Sequence, residues 1–183
     1  MGCGLSYSVV THGALFLGKQ VAVVGSYRRA QLAALELARY AHHVYLFAPD
    51  LLPADRPLVK TLRRTDNVTI LEGATVKEIR GDRYVSSIVV ESVDGGTQEI
   101  SVKGVFVKLP RKANSDLVRD WVEVDDEGRV KVDLYGATSF PGVFAAGDVT
   151  NACPEQMAIA VGTGVAAALS VGDYLRDRPA PKV

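Results

Sequence analysis

Ser139-Phe-Pro-Gly-Val-Phe-Ala-Ala-Gly-Asp-Val149 is the stretch that decides how this 183-residue chain folds. Pro141-Gly142 is a turn pair, and Val143 to Ala146 is a short apolar run that predicts a strand. Gly147 ends that run and lets a ligand come against the backbone. Asp148 then places a carboxylate at the strand's carboxyl end, where open α/β sheets bind nucleotides. Beyond it, Cys153-Pro154 leads a run of small residues that predicts a helix from Glu155 to Leu175. Gly162, Gly164 and Ala166 to Ala168 keep one section of it narrow, so backbone can approach a neighbour or a ligand closely. Its first residues, Glu155, Gln156 and Met157, form the electropositive end.

Working backwards, Lys19 to Gly25 (KQVAVVG) is a compact apolar run ending in glycine and predicts a buried parallel strand. A helix over Tyr27 to Ala41 follows, with Ala30, Ala34, Leu37 and Ala41 on one stripe and Arg28, Glu36 and Arg39 off it. His43 to Phe47 is a second strand, closed by Ala48-Pro49. Together they form a βαβ unit of mononucleotide-binding size. The turn between strand and helix reads Gly25-Ser26-Tyr27-Arg28-Arg29-Ala30 against the dinucleotide pattern G-x-G-x-x-G/A. The first glycine and the final alanine are in place. Tyr27 stands where the second glycine lets a pyrophosphate pass, so a phenol is expected to obstruct it. The helix start and Arg28 and Arg29 still offer N–H groups and positive charge to a phosphate. Asp50 lies where an acidic residue could reach a ribose hydroxyl. The alternative is that the βαβ unit is scaffold only.

Two strings carry a resemblance. PGVFAAGDV followed by EQMAIAVGTGVAAA resembles the carboxy-terminal flavin motif of the thioredoxin reductase family. The resemblance implies that Gly147 and Asp148 hold the ribityl–pyrophosphate region of FAD, and that the helix start at Glu155, Gln156 and Met157 faces the flavin ring. The family commonly has Arg-Gln-Ala there, so Glu155 is a departure. Gly4 to Gly13 reads by pattern as a loop with a short apolar centre. By resemblance it lies where the family carries G-V-S-Y-C-A-T-C-D-G. Its two redox cysteines fall on Ser8 and Thr11, and its acidic proton donor falls on His12. A hydroxyl cannot cycle through a disulfide, so dithiol chemistry is not available at this loop. A histidine exchanges protons near neutral pH, which makes His12 the one candidate catalytic residue; the alternative is a solvated loop side chain. The H-R-R that related NADPH enzymes carry after the second strand is replaced by Ala48-Pro49-Asp50.

The remaining segments complete the expected architecture. Pro53 to Arg64 predicts a short helix and Asn67 to Leu71 a third strand. Thr75 to Arg80, Tyr84 to Glu91 and Gln98 to Val102 predict a β-meander, with Asp94-Gly95-Gly96 as its second turn. Gly104 to Leu109 predicts another buried strand. Pro110 to Asn114 stands where the family has G-x-x-P-N, and its Arg111-Lys112 pair is either a solvated loop or faces a phosphate. Trp121 to Val124 and Arg129 to Val132 flank Asp125-Asp126-Glu127-Gly128, a hairpin with a solvated acidic turn rather than a metal site.

Acidic and basic residues balance at 21 each, which gives no support for nucleic acid or an anionic membrane as partner. No run reads as long and apolar enough to span a bilayer. The start Met1-Gly2-Cys3-Gly4 lacks the pattern of a signal peptide and matches a myristoylation pattern weakly. The 2 cysteines, Cys3 and Cys153, form neither CxxC nor a metal cluster. They read as reduced thiols of a cytoplasmic protein; a Cys3–Cys153 disulfide needs the two ends to meet.

The expected fold is therefore α/β: a Rossmann-like FAD/NAD(P)-binding three-layer domain with a β-meander over 14–109, and a partial FAD-binding-type domain from 1–13 and 110–183. The resemblance runs from about Gly4 to Leu175 but has only one glycine-rich turn, so the half of the flavin domain that holds the ADP part of FAD has no counterpart. Either a second copy, a partner chain or a longer polypeptide completes it, or the chain folds with that region rearranged. The expected function is an FAD- and NAD(P)H-linked oxidoreductase homologue without a CxxC dithiol. The alternative is a non-catalytic nucleotide-binding or protein-assembly module.

Overall fold

In the computed structural model, residues 3–152 and 155–177 are described. Their contacts divide the chain into two compact units, Met1–Pro110 and Arg111–Val183. Residues 1–13, expected with the carboxy-terminal part, belong by contact to the first unit. Gly2, Cys153, Pro154 and the tail after Asp177 lie outside the described residues, so the readings of a Cys3–Cys153 disulfide, a lipidated start and a frayed tail lie outside them too.

The first unit is built on a parallel sheet in the order β1-β8-β2-β3-β4. These strands are β1 (Leu5–Ser6), β2 (Gln20–Val24), β3 (His43–Ala48), β4 (Val68–Glu72) and β8 (Gly104–Val107). Side chains alternate across a strand, and β2 shows the consequence. Val21 and Val23 face one cluster, with Ala34 and Leu37 of helix α2 (Arg28–Ala38) and Val59 and Leu62 of helix α3 (Pro57–Arg63). Ala22 and Val24 face a second cluster with Ile88, Val90 and Ile100 of the meander β5-β6-β7. The meander strands are Thr75–Gly81, Val85–Glu91 and Thr97–Ser101. Helices, parallel sheet and antiparallel sheet make the three expected layers. Fully burying a side chain such as Leu37, Leu46 or Phe47, all at 0% exposure, contributes about 1.5–3 kcal/mol.

The expected stripe of α2 is the buried one: Ala30, Ala34, Leu37 and Ala41 are all buried, while Arg28, Glu36 and Arg39 are not. The helix ends at Ala38 rather than Ala41. Asn67 explains the stop, because its side-chain amide donates to the carbonyls of Ala38 (2.9 Å) and Ala41 (3.1 Å). Helix α3 begins at Pro57, four residues later than expected, with proline in the first turn where no N–H is needed. The stretch read as a loop near the start instead holds β1, parallel to β8, and a one-turn helix α1 (Val9–His12).

The second unit has little regular structure. Val143 to Ala146 is extended but joins no ladder; among the described residues its one bridge pairs Phe144 with Ala137. The expected hairpin is likewise a single bridge, Val124 to Val130. A strand needs neighbours to donate to and accept from, and two-stranded pairs are marginal alone. Helix α4 (Met157–Arg176) is well formed over 20 residues, yet Ala167 is its only buried residue. Val161, Val165 and Leu169 are exposed. By length and composition α4 could cross a membrane, which corrects the expectation that no such run exists. Thr163, Ser170 and the interspersed glycines and alanines mask its apolar length in the sequence.

Candidate functional site

In the first unit, the turn after β2 is shaped by its own backbone. Gly25 has φ +142°, and a Cβ there would stand 2.5 Å from the Lys108 carbonyl oxygen and 3.1 Å from Ala30. Only glycine fits, and Ala30 must stay small. These are the two positions of the dinucleotide pattern that the sequence retains. Tyr27 is the N-cap of α2 at φ −76° and ψ 168°, ordinary for any residue. Tyr27 is 59% exposed, so its side chain is not buried in the turn. The first amide to close a helical turn is that of Ala30, on the Tyr27 carbonyl at 2.8 Å. The amides ahead of it, at Arg28 and Arg29, form the electropositive start of the helix.

Ser26 is buried and bridges two strand ends: its Oγ accepts the Asp50 N–H at 2.8 Å. Its carbonyl accepts from Nε2 of Gln31 at 2.8 Å, and Gln31 is buried as well. Asp50 is thereby held beside the turn, just past the carboxyl end of β3, with its side chain exposed. Sequence reasoning misses Gln31, although a glutamine between Ala30 and Ala34 on an apolar stripe is itself a signal of a buried hydrogen bond. A glycine-hinged turn, a helix start and an acidic residue at the neighbouring strand end fit a pyridine dinucleotide.

The loop at Ser8 to His12 lies in the same unit. Ser8 caps α1: its Oγ accepts the Thr11 N–H at 3.3 Å and lies 2.9 Å from Thr11 Oγ1. The two hydroxyls that stand at the family's cysteine positions therefore touch. Nδ1 of His12 lies 2.8 Å from Oγ of Ser6, a buried side chain that also accepts the Ser8 N–H at 3.0 Å.

In the second unit, Gly147 opens a short 3₁₀ turn at φ +76°, and its N–H donates to Thr163 Oγ1 of α4 at 3.1 Å. Asp148 is 56% exposed on its side chain, and its Oδ2 lies 3.8 Å from Nη1 of Arg111. The same nitrogen lies 2.5 Å from Glu155 Oε2. Arg111, expected as a solvated or phosphate-facing residue, is thus an ion-pair partner of both carboxylates. They line a cleft of about 170 Å³ with Lys112, Asn114, Glu127 and Arg129. Lys112 is paired with Asp116 at 2.7 Å and Arg129 with Asp125 at 2.8 Å. Burial alone would raise the Asp125 carboxyl, but the Arg129 and Glu127 amides and the Arg129 guanidinium hold it below the usual carboxylate range. The acidic turn is therefore spent on its own hairpin. Gln156 caps α4 without a side-chain hydrogen bond, and Met157 is 84% exposed. Gly147 is tied to α4 by its bond to Thr163, and Asp148 and Glu155 are both paired with Arg111. The glycine-rich turn occurs once in the sequence, at Gly25 to Ala30 in the other unit.

Residues 8–164 match the pyridine nucleotide-disulphide oxidoreductase family. The chain belongs to that family. Among its relatives are a protein named NADH dehydrogenase from Bacillus subtilis, 41% identical over 175 residues, and an alkyl hydroperoxide reductase component from Xanthomonas campestris pv. phaseoli, 40% identical over 181. They are matched over 94% and 97% of this chain but only 34% of their own length. Thioredoxin reductase from Streptococcus pyogenes superposes with a TM-score of 0.84 at 31% identity, over 96% of this chain and 58% of that one. Thioredoxin reductase from Giardia duodenalis gives 0.83 at 27% identity, over 95% of this chain and 58% of that one. The thioredoxin reductase-like resemblance and the Rossmann-like fold read from the sequence both stand. FAD and NAD(P)H, the cofactors expected from the sequence, are those of this family of flavoprotein oxidoreductases.

Proposed function

We propose that this chain is the nicotinamide-binding part, with one wall of the flavin site, of an NAD(P)H-dependent flavoprotein oxidoreductase of thioredoxin reductase type. The observation that carries the reading is the turn from Gly25 to Ala30 with Asp50 fixed beside it. Arg28, Arg29 and the start of α2 would take the pyrophosphate, and Asp50 a ribose hydroxyl. Gly147, Asp148, Glu155, Gln156 and Met157 would hold the flavin's ribityl and ring side. When bound, FAD and the nicotinamide supply hydride chemistry that no side chain can. The chain's own part is to bind, to orient and to place His12 as a proton-exchanging group, its Nδ1 fixed by Ser6. With Ser8 and Thr11 in place of cysteines, electrons would leave by a route other than a dithiol in this loop.

The rest of the flavin site would come from a longer polypeptide, a partner chain or a second copy. The exposed apolar side of α4 supports this, since contiguous apolar surface marks an interface. A cytoplasmic setting accords with the sparse use of cysteine, 2 in the chain with no CxxC. One observation favours the second reading, a non-catalytic nucleotide-binding or assembly module: Arg111 already occupies Asp148 and Glu155. The test is an absorbance spectrum with an NADH and NADPH titration of the purified protein. Absorbance near about 450 nm, as flavins give when protein-bound, with saturable nicotinamide binding supports the oxidoreductase. Colourless protein that binds dinucleotide but no added FAD supports the module. Colourless protein that binds neither FAD nor a dinucleotide rejects the oxidoreductase and supports the assembly form of the module.

A further inference from the structure

We propose that Lys108 is a further binding residue of the dinucleotide site, whose ammonium takes the phosphate on the nicotinamide side of the pyrophosphate. The inference rests on the reading of the Gly25 to Ala30 turn as a nicotinamide site. Strand order locates the second wall of that site. From β2 the chain runs outward through α2 to β3 and through α3 to β4, then returns after the meander to β8 on the other side of β2. The order reverses between β2 and β8, and open α/β sheets form their ligand crevice outside the carboxyl ends of the strands at such a point. Here those two ends touch. The Lys108 N–H donates to the Val24 carbonyl at 2.8 Å, and a Cβ on Gly25 would meet the Lys108 carbonyl oxygen at 2.5 Å. A dinucleotide with its pyrophosphate at the start of α2 and its adenosine ribose toward β3 must carry its other nucleotide over β8. Lys108 is the first residue after that strand.

The side chain of Lys108 is half-buried and lies at this end of the sheet. Its Nζ donates to the carbonyl of Tyr7, the first residue after β1, and β1 is the strand beside β8. An ammonium carries three donors on a flexible four-carbon stem, and a phosphate is a stronger partner for it than a neutral carbonyl. Tyr27 gives the cation its use. The second glycine of the dinucleotide pattern lets backbone come against the pyrophosphate, and Tyr27 stands in its place. A lysine on the facing wall reaches a phosphate without that close backbone approach. The turn and Lys108 therefore divide the ligand between them: the turn serves the adenosine half and Lys108 the half that passes over β8.

The test measures dissociation constants for NADH and AMP by calorimetry at low and high salt, with thermal midpoints, on the native sequence, Lys108→Met and Lys108→Gln. AMP reports on the turn and the β3 side, and only NADH extends over β8. Glutamine keeps a donor for the Tyr7 carbonyl without the charge, so it separates the charge from the tether. Both variants should weaken NADH by about tenfold, the effect of one lost charge-assisted hydrogen bond. Both should leave AMP unchanged and flatten the salt dependence of NADH binding, because the screened ion pair is gone. If Lys108 serves only to hold Tyr7, Lys108→Gln binds NADH as the native protein does, and Lys108→Met lowers the midpoint and weakens both ligands alike; either result overturns the proposal. AMP binding without NADH binding by the native protein also overturns it, while the adenosine half of the turn stands. Binding of neither ligand removes the reading of the turn, and this inference with it. Lys108→Gln keeps the proposal decidable should Lys108→Met fold poorly.

Discussion

Replacing Tyr27 by glycine tests the turn most simply, because the structure separates its cost to folding from its effect on binding. Tyr27 adopts φ −76° and ψ 168° and makes no side-chain capping bond. Glycine loses about 0.5–1 kcal/mol through backbone entropy, but it is among the better N-cap residues. Tyr27 is 59% exposed, so little packing is lost. Net stability should therefore change by less than about 1 kcal/mol. Binding should change more. A dinucleotide passing the mouth of the turn must displace or immobilise the phenol, at about 0.5–1.5 kcal/mol for a side chain of that kind. Tyr27→Gly should tighten NADH binding by about two- to tenfold, read by calorimetry, with an unfolding midpoint in urea close to the native one. Unchanged affinity in a folded variant would refute the idea that Tyr27 obstructs the pyrophosphate path.

Three other changes follow from the packing. Ser8→Cys with Thr11→Cys places two sulfurs where hydroxyls now lie 2.9 Å apart, so the double variant should oxidise to an 8–11 disulfide seen by peptide mapping; two persistent thiols would show that the loop has lost the geometry. Leu37→Ala, at a fully buried position of α2, should cost about 2–5 kcal/mol in urea unfolding, and a loss below about 1 kcal/mol would contradict the described core. Burial alone would raise the Glu72 carboxyl, but the Leu52 N–H and Arg63 hold it below its usual range. A lowered folded value gives stability that is present above the unfolded carboxylate value and lost as pH falls through the folded one. Glu72→Gln should therefore flatten the acid side of the stability–pH curve, and an unaltered slope would assign that slope to other groups.

Much of the first unit is legible in the sequence because its signals are local. The apolar run ending at Gly25, the alanine–leucine stripe of α2 and the Asp94-Gly95-Gly96 turn each specify their own element, and the structure contains all three. The ends of elements are less legible. Asn67 stops α2 from 26 to 29 positions away, and nothing in the helix itself announces that. The second unit is harder for a different reason. Val143 to Ala146 has the composition of a strand, but a strand exists only with partners, and among the described residues it has a single bridge. Legibility falls furthest where charge matters. Arg111 meets Glu155 across 44 positions, and spacing does not reveal which carboxylate a surface arginine will choose. The hydroxyls of Ser8 and Thr11 are plain in the sequence, yet their mutual contact comes from the capping geometry of a single helical turn.

The turn from Gly25 to Ala30 and the acid at Asp50 are held to form one nicotinamide site, and everything proposed for the chain depends on it. A crystal structure of the protein soaked with NADH tests this most directly. Density for the pyrophosphate is expected at the start of α2, with a ribose hydroxyl within hydrogen-bond reach of the Asp50 carboxylate. Dinucleotide density elsewhere, or none at saturating concentration with the turn open to solvent, would contradict it.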